Sequence, residues 1–387
     1  MTDVVTKSFR GRDPVAEELS LSAEAEAALR QFSPERIVAY GVVQADMVEL
    51  RGRVAQGEEW RRVCMDLAAT ALAPPESAVS PATPRTEANR LYRASAMIRM
   101  AQVMMIEDTD ERRGIYEEAA ELHARASEIA GGVERVLIDT PRGPVAGWYH
   151  RPRDVAPLGG VVVIGGVEGW AMDFAALGAA LASRGVAAMV VDGPGQGETR
   201  LVHGHFLSRD WPSAYRAVVD ELVDRVGNAP VGFVGNSLGG TVALRYAAID
   251  ARMAVVCDNG GPLDPGLARA NSSFFRKMVA HCGRPSEDEA QAIWRTILPP
   301  RPDEPLPGAL LVVHGAMDPL ISTQDARTIF DRCVAADKRM VVFSDGDHCV
   351  YNHADDKNDL IADWVADRLE GARPGVGADA LEQPDKG

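Results

Sequence analysis

The 387-residue chain lacks any run of about 18 apolar residues, the length that a membrane-spanning helix needs. Its first twenty residues, MTDVVTKSFRGRDPVAEELS, hold no apolar segment of signal-peptide length. Basic residues are in deficit as well, because 41 Lys and Arg stand against 56 Asp and Glu and leave a net charge of −15. We therefore expect neither a membrane nor a nucleic acid as a partner.

Cysteine is scarce, and its number is odd. No two cysteines have C-x-x-C spacing, and the five residues are Cys64, Cys257, Cys282, Cys333 and Cys349. This usage predicts reduced thiols in a cytoplasmic protein rather than a disulfide framework. Two groups of possible zinc ligands, His203 with His205 and His348 with Cys349 and His353, lack a complete ligand set at familiar spacing. We predict no metal site.

The pattern of apolar residues changes near residue 132. Before it the spacing is helical, and TEANRLYRASAMIRMAQVMMIED places one stripe on Leu91, Ala94, Met97, Ile98, Ala101, Met104 and Met105. We interpret Met97, Met100, Met104 and Met105 as helix core, with an adaptable wall over a substrate pocket as the alternative. The proline-rich stretch APPESAVSPATP (73–84) reads as a connector.

After residue 132, continuous apolar runs alternate with amphipathic segments. The runs include GVVVIGG (160–166), AAMVVDG (187–193), VGFVGNS (231–237) and ALLVVHG (309–315). This alternation predicts an α/β fold, a mostly parallel sheet with helices on both faces. We expect a helical N-terminal region at 1–131, an α/β domain at 132–370 and a disordered tail at 371–387.

The stretch VGFVGNSLGG (231–240) places a G-x-S-x-G pattern between a strand and a helix. Such a nucleophile elbow turns so sharply that flanking side chains would collide, so Gly235 and Gly239 leave Ser237 exposed at the carboxyl end of the sheet. We attribute Asn236 to the same turn, since asparagine tolerates unusual backbone angles. The alternative is a helix start that Ser237 merely caps.

Two later loops supply the groups that a serine nucleophile needs. A serine requires a base, itself oriented by an acid, and behind such an elbow the chain order is serine, acid, histidine. Asp318 in VVHGAMDPL (312–320) follows one strand, and His348 in VVFSDGDHCVYNH (341–353) follows the next. The less favoured candidates along the same rim are His314, His353, Asp192, Asp258, Asp345 and Asp347.

An oxyanion hole needs two N–H donors aimed at the developing charge. We predict one from Leu238, the residue after the nucleophile, and one from Val167 or, as the weaker choice, Glu168 in the GGVEGW loop. The glycine-rich VVDGPGQGE (190–198) has G-x-G-x-G spacing with a proline in the turn, which does not match a dinucleotide-binding loop. We predict no cofactor.

Five segments together resemble the α/β-hydrolase superfamily, and within it the 2,6-dihydroxypseudooxynicotine hydrolase group with the related polyketide chain-shortening hydrolases and FrsA-like esterases. They are VVVIGGVEGWAMDF, VVDGPGQGE, VGFVGNSLGGTVAL, LLVVHGAMDPL and DGDHCVYNH. The resemblance implies a cofactor-free serine hydrolase, commonly a homodimer, that cleaves a C–C bond beside a ketone, or an ester, in a small-molecule substrate. It also implies a cap over Ser237, Asp318 and His348, built from N-terminal helices and a helical insert at about 265–300.

The resemblance does not fix the substrate. A glutamate that it would imply after the strand following the elbow has no counterpart in DNGGPLDPGLARANSSFF (258–275). Candidate substrate-binding residues are Tyr92, Glu168, Trp170, Phe206, Trp211, Phe274 and Phe275. The alternative functions are a simple carboxylesterase, a lyase or cyclase that removes an acyl group by elimination, and, least favoured, a non-catalytic binding protein.

Overall fold

A computed structural model describes residues 22–73, 81–167, 169–267 and 272–373. The chain divides into two compact units, Met1–Glu134 and Arg135–Gly387. Most of the predicted tail at 371–387 and of the predicted connector at 73–84 lies outside the described residues.

Six helices form the described part of the first unit. They are α1 (Ala23–Gln31), α2 (Pro34–Ala39), α3 (Gln44–Ala55), α4 (Trp60–Leu72), α5 (Pro84–Ala101) and α6 (Asp110–Ala130). The starts of α5 and α6 are set by Thr83 and Thr109, whose hydroxyls accept a hydrogen bond from the third helical N–H. The buried indole of Trp60 donates to the Met100 carbonyl at 2.8 Å, which ties α4 to α5.

The second unit is built on an eight-stranded sheet with the strand order β1-β2-β4-β3-β5-β6-β7-β8. The strands are β1 (Val133–Ile138), β2 (Val145–His150), β3 (Gly159–Ile164), β4 (Val186–Val191), β5 (Val231–Asn236), β6 (Met253–Asn259), β7 (Ala309–Gly315) and β8 (Lys338–Phe343). β2 runs antiparallel to β4, and the strands from β4 to β8 pair in parallel. The predicted mostly parallel sheet is confirmed.

Helices cover both faces of the sheet. They are α7 (Ala175–Ser183), α8 (Gly197–Leu201), α9 (Trp211–Arg225), α10 (Leu238–Ala247), α11 (Ser273–His281), α12 (Glu287–Trp294), α13 (Thr323–Arg332) and α14 (Ala354–Gly371). α10 packs on β5 and β6, and α9 on β3 and β5, whereas α7 packs on β4 and against α14. The insert between β6 and β7 holds α11 and α12.

The register brings the carboxyl ends of the central strands to one edge. Ile164 of β3 pairs with Gly235 of β5, and Asn236 pairs with Asn259 of β6. Because parallel strands end on the same side, the loops after them meet there, and a site built from those loops belongs at this edge.

One sequence prediction of helix position needs correction, and one helix was not predicted. The stripe predicted to continue to Met105 ends with α5 at Ala101, and the residues after it form turns in which Met105 N–H donates to the Gln102 carbonyl at 2.8 Å. Helix α8 was not predicted, since all five of its residues are buried and it shows no amphipathic pattern. Within the described ranges, no helix is long and apolar enough to cross a membrane.

Phe233 anchors the core of the second unit beneath the elbow. Its fully buried ring contacts Tyr215 and Tyr246 edge-on, with centroid distances of 5.4 and 5.5 Å. Aromatic rings in this arrangement add to the free energy gained by burial.

We expect Phe233→Ala to lower the free energy of unfolding by about 3–5 kcal/mol, because it leaves a cavity between two tyrosines. Phe274→Ala is the matched control, since that ring is 39% exposed and its loss should cost less than about 1 kcal/mol. Urea denaturation followed by tryptophan fluorescence measures both variants. Equal losses for the two would contradict the prediction.

Candidate active site

The backbone at Ser237 is bent into a left-handed conformation between β5 and α10, with φ 54° and ψ −129°. A Cβ on Gly235 would lie 1.9 Å from the Gly239 carbonyl oxygen, and one on Gly239 would lie 2.5 Å from the Gly165 carbonyl oxygen. Both positions therefore require glycine. Ser237 carries the strained backbone of the elbow while its neighbours make room for it.

Asn236 has a different role from the one expected. It is the last residue of β5 and lies outside the positive-φ positions of the described chain, so no tolerance of unusual backbone angles is needed. Its fully buried amide oxygen accepts a hydrogen bond from Asn259 Nδ2 at 2.8 Å. Asn259 Nδ2 also donates to the Cys349 carbonyl at 3.1 Å, so this amide pair joins the elbow to the loop after β8. Asn259 has no recognisable signal in the sequence, because the pairing of β5 with β6 creates the contact.

Ser237, His348 and Asp318 form one hydrogen-bonded chain. His348 Nε2 lies 2.9 Å from Ser237 Oγ, and His348 Nδ1 lies 2.8 Å from Asp318 Oδ2. The other Asp318 oxygen accepts the N–H groups of Leu320 and Ile321 at 2.7 and 3.0 Å. Since the ionised carboxylate only accepts, Nδ1 carries a hydrogen and Nε2 of the neutral imidazole is free to accept the serine proton.

Electrostatics hold Asp318 ionised. Its side chain is fully buried, which by itself raises the pKa, but hydrogen bonds from His348 and two backbone N–H groups lower the pKa below its usual value. Burial also disfavours the charged form of His348, yet the adjacent Cys349 and Asp318 raise its pKa above the usual value.

The N–H groups of Val167 and Leu238 are the two predicted donors of the oxyanion hole. Among the described residues, neither the Val167 nor the Leu238 N–H has a hydrogen-bond partner. Gly166 brings the first loop close, because a Cβ on it would lie 2.7 Å from Ser237 Cβ. Glu168, the weaker candidate, lies outside the described residues.

The less favoured acids and histidines have other partners or positions. Asp192 accepts the N–H groups of Ala171 and Glu198, Asp258 accepts that of Gly261, and burial raises the Asp258 pKa to about 7. His314 is buried in β7, and its pKa is lowered chiefly by that burial.

The remaining candidates surround the loop that carries His348. His353 Nε2 lies 3.0 Å from Asp345 Oδ1, whereas Asp347 closes a turn with Asn352. Across the described residues, no three His, Cys, Asp or Glu side chains gather so that they could hold a metal ion.

The candidate substrate-binding residues occupy varied positions. Trp170 is buried at the loop after β3, and Trp211 is a core residue whose indole donates to Thr296 Oγ1 at 3.0 Å.

The aromatic candidates without an indole differ in exposure. Phe206 packs beside Gly283, Phe275 is buried on α11, and Phe274 on the same helix is 39% exposed. In the first unit, the Tyr92 hydroxyl lies 3.0 Å from Ser127 Oγ. Their contact with substrate stays a prediction.

A parallel sheet with a strained serine at the end of its fifth strand is the architecture of an α/β hydrolase. The alpha/beta hydrolase family model matches residues 161–363, more than half of the chain. The chain belongs to the alpha/beta hydrolase family and is an enzyme.

Individual relatives agree with this family. The chain is 26% identical over 352 residues to 2,6-dihydropseudooxynicotine hydrolase of Paenarthrobacter nicotinovorans, covering 86% of this chain and 91% of that protein. The crystal structure of the 2,6-dihydroxy-pseudo-oxynicotine hydrolase matches with a TM-score of 0.76 at 25% identity, over 88% of this chain and 97% of that one. Wild-type AbyA5 shares the fold, with a TM-score of 0.70 at 18% identity over 90% and 95% of the two chains. The predicted resemblance is confirmed.

We expect Gly235→Ala to destabilise the enzyme by more than about 3 kcal/mol, because its new methyl group has no space beside the Gly239 carbonyl. The matched control is Gly114→Ala on α6. A Cβ at this position would meet nothing within 4 Å, so the substitution should stabilise the helix by about 0.5–1 kcal/mol. Thermal unfolding compares the two variants. Wild-type stability in Gly235→Ala would contradict the steric argument.

We expect the His348 ring to titrate above 6.5 in the wild type and at a lower pH in Asp318→Asn. The substitution removes Asp318, one of the two residues that raise the His348 pKa, and leaves the burial, which favours the neutral ring. NMR of histidine-labelled protein, assigned by the signal lost in His348→Asn, measures the midpoint. Asp345→Asn is the control because the Asp345 carboxylate bonds to His353 rather than to His348, so its loss should leave the His348 midpoint unchanged.

Proposed function

We propose that this enzyme is a serine hydrolase whose triad is Ser237, His348 and Asp318. The observation that carries the proposal is the continuous hydrogen-bonded chain from a buried, ionised acid through an imidazole to a strained serine. A serine that merely capped α10 would need neither partner, and the Ser237 side chain makes no capping hydrogen bond.

In the proposed reaction His348 Nε2 removes the proton of Ser237 as its Oγ attacks a substrate carbonyl carbon. Asp318 keeps Nδ1 protonated and stabilises the imidazolium that forms. The N–H groups of Val167 and Leu238 receive the oxyanion of the tetrahedral intermediate.

Collapse of the intermediate re-forms the carbonyl and breaks the bond to the leaving group. The His348 imidazolium returns its proton to the leaving carbon or oxygen, which departs neutral and leaves an acyl group on Ser237. His348 then takes a proton from water, the resulting hydroxide attacks the acyl-enzyme, and Ser237 regains a proton as a carboxylic acid is released.

We propose that the bond broken is a C–C bond next to a ketone, with ester cleavage as the alternative. A leaving carbon must be stabilised as it takes the bonding electrons, and delocalisation onto a neighbouring oxygen as an enolate does this. A β-diketone gives such an enolate directly, and an acyl-phenol gives one when its ring reacts as the keto tautomer. The substrate class is therefore a small β-diketone or acyl-phenol. The relative that is 26% identical is named 2,6-dihydropseudooxynicotine hydrolase. This name supports a small-molecule substrate for the present enzyme, but not that particular compound.

Labelling with a fluorophosphonate tests the triad. We expect wild type to gain one adduct by intact mass, Ser237→Ala to gain none, and His348→Ala to react slower by about 10³-fold or more. Ser183→Ala is the control, because the exposed Ser183 hydroxyl donates to the Ala180 carbonyl at 2.7 Å and accepts from Arg184 Nη1 at 3.3 Å, with no hydrogen bond to a histidine among the described residues. No adduct on folded wild type, or an adduct retained by Ser237→Ala, would overturn the proposal.

Turnover in H₂¹⁸O then separates the reaction types. Hydrolysis of a β-diketone places one ¹⁸O in the carboxylic acid product, whereas acyl elimination by a lyase or cyclase incorporates none. If the enzyme turns over simple aryl esters rapidly but does not turn over the ketones, the result would instead indicate a carboxylesterase.

We also propose a homodimer, on the resemblance to the hydrolase group, and a cytoplasmic location, on the scattered and odd-numbered cysteines. Sedimentation velocity tests the oligomeric state, since a dimer of a 41.5 kDa chain sediments well apart from the monomer.

A further inference from the structure

Gln196 lies at the centre of a hydrogen-bond cluster beside the proposed oxyanion hole. Its side-chain Nε2 donates to the carbonyl oxygens of Gly165 and Gly166 at 2.9 and 2.7 Å. Its Oε1 accepts the Gly193 N–H at 2.7 Å. The residue is only 6% exposed, so water competes little for these contacts.

The orientation of this amide is set by its partners. Two carbonyl oxygens face one end of the side chain and one N–H faces the other. A flipped amide would place Oε1 against both carbonyls and lose all three bonds. Gln196 therefore presents two donors to the loop after β3.

The carbonyl of Gly166 and the N–H of Val167 belong to the same planar peptide unit. In a trans peptide these two groups point in opposite directions, so holding the oxygen also fixes the direction of the N–H. A hydrogen bond to the oxygen further polarises the peptide and strengthens its N–H as a donor. The same peptide lies against Ser237, through the close approach of Gly166.

We propose that Gln196 is a positioning residue of the oxyanion hole, which holds the Gly166–Val167 peptide so that the Val167 N–H is aimed at the oxyanion. This inference rests on the proposed serine hydrolase. It also gives a role to the glycine-rich segment VVDGPGQGE, which resembles a nucleotide loop in composition but has another geometry.

That segment holds Gln196 firmly. Gly195 and Gly197 on either side have φ values of 88° and 37°, and a Cβ on Gly197 would lie 2.1 Å from Asp192 Oδ2. Asp192 is fully buried and accepts the N–H groups of Ala171 and Glu198 at 2.7 and 2.9 Å. The backbone on both sides of Gln196 is thus fixed by sterics and by a buried carboxylate.

A pair of labelling reagents tests the proposal without knowledge of the substrate. An alkyl fluorophosphonate with a P=O group places that oxygen in the oxyanion hole as it reacts with Ser237, while its P=S analogue offers sulfur, a weak acceptor. The ratio of the two labelling rates therefore measures how well the oxyanion donors are aimed. A defect in packing alone slows both reagents by the same factor.

We expect Gln196→Met to label more slowly with the P=O reagent by about 10- to 100-fold, less than the ~10²–10³ that follows outright removal of a donor. The P=S rate should fall by less than about 3-fold, so the ratio of the two rates falls by at least about 3-fold. Gln196→Glu should lower the ratio at neutral pH as well, because a carboxylate repels both carbonyls, and it serves if Gln196→Met does not fold.

Asn259→Ala is the matched control, since it removes another buried amide that contacts the elbow and the Cys349 carbonyl but not Gly165 or Gly166. It should slow both reagents equally and keep the wild-type ratio. A wild-type ratio in the folded Gln196 variants would overturn the positioning role while leaving the proposed function intact. Wild type unreactive toward both reagents would overturn the proposed function and, with it, this inference.

Discussion

The left-handed backbone at Ser237 is the constraint around which the rest of the site is arranged. A non-glycine residue in such a conformation costs of the order of 1–3 kcal/mol and persists only where its surroundings demand it. Here Gly235 and Gly239 supply the space, and Ser237 N–H donates to the Asn259 carbonyl at 2.8 Å. The strain is thus held by the sheet itself, because Asn259 is the last residue of β6 and pairs with Asn236.

Buried side-chain amides hold loops that are distant in sequence in fixed positions around this strained serine. Asn259 joins the elbow to the backbone after His348, and Gln196 joins the loop after β4 to the loop after β3. A buried amide without partners would cost several kcal/mol, so each such contact resists displacement of its loop. The loops after β3, β4, β5 and β8 are therefore held together by side chains that do not enter the proposed reaction.

Most of the fold could be predicted from sequence because local signals specify it. Parallel strands buried on both faces require continuous apolar runs, and β3, β5 and β7 lie where those runs occur. Order along the chain was enough to propose Ser237, Asp318 and His348, which the fold brings within hydrogen-bond distance. The end of α5 escaped prediction because the apolar stripe continues beyond Ala101, and the short buried α8 because it shows no amphipathic pattern.

The amide residues show why the finer part of a site resists prediction. The sequence predicts a backbone role for Asn236, yet its side-chain amide bonds to a residue 23 positions away in sequence, across β5 and β6. Gln196 bonds carbonyls 30 and 31 positions earlier, and backbone carbonyls carry no residue-specific signal that a sequence pattern could reveal. Side chains that bind the backbone of another loop become visible only when strand register is known. The glycines on either side of Gln196 indicate that the chain must turn there, but they do not indicate which loop the Gln196 side chain contacts.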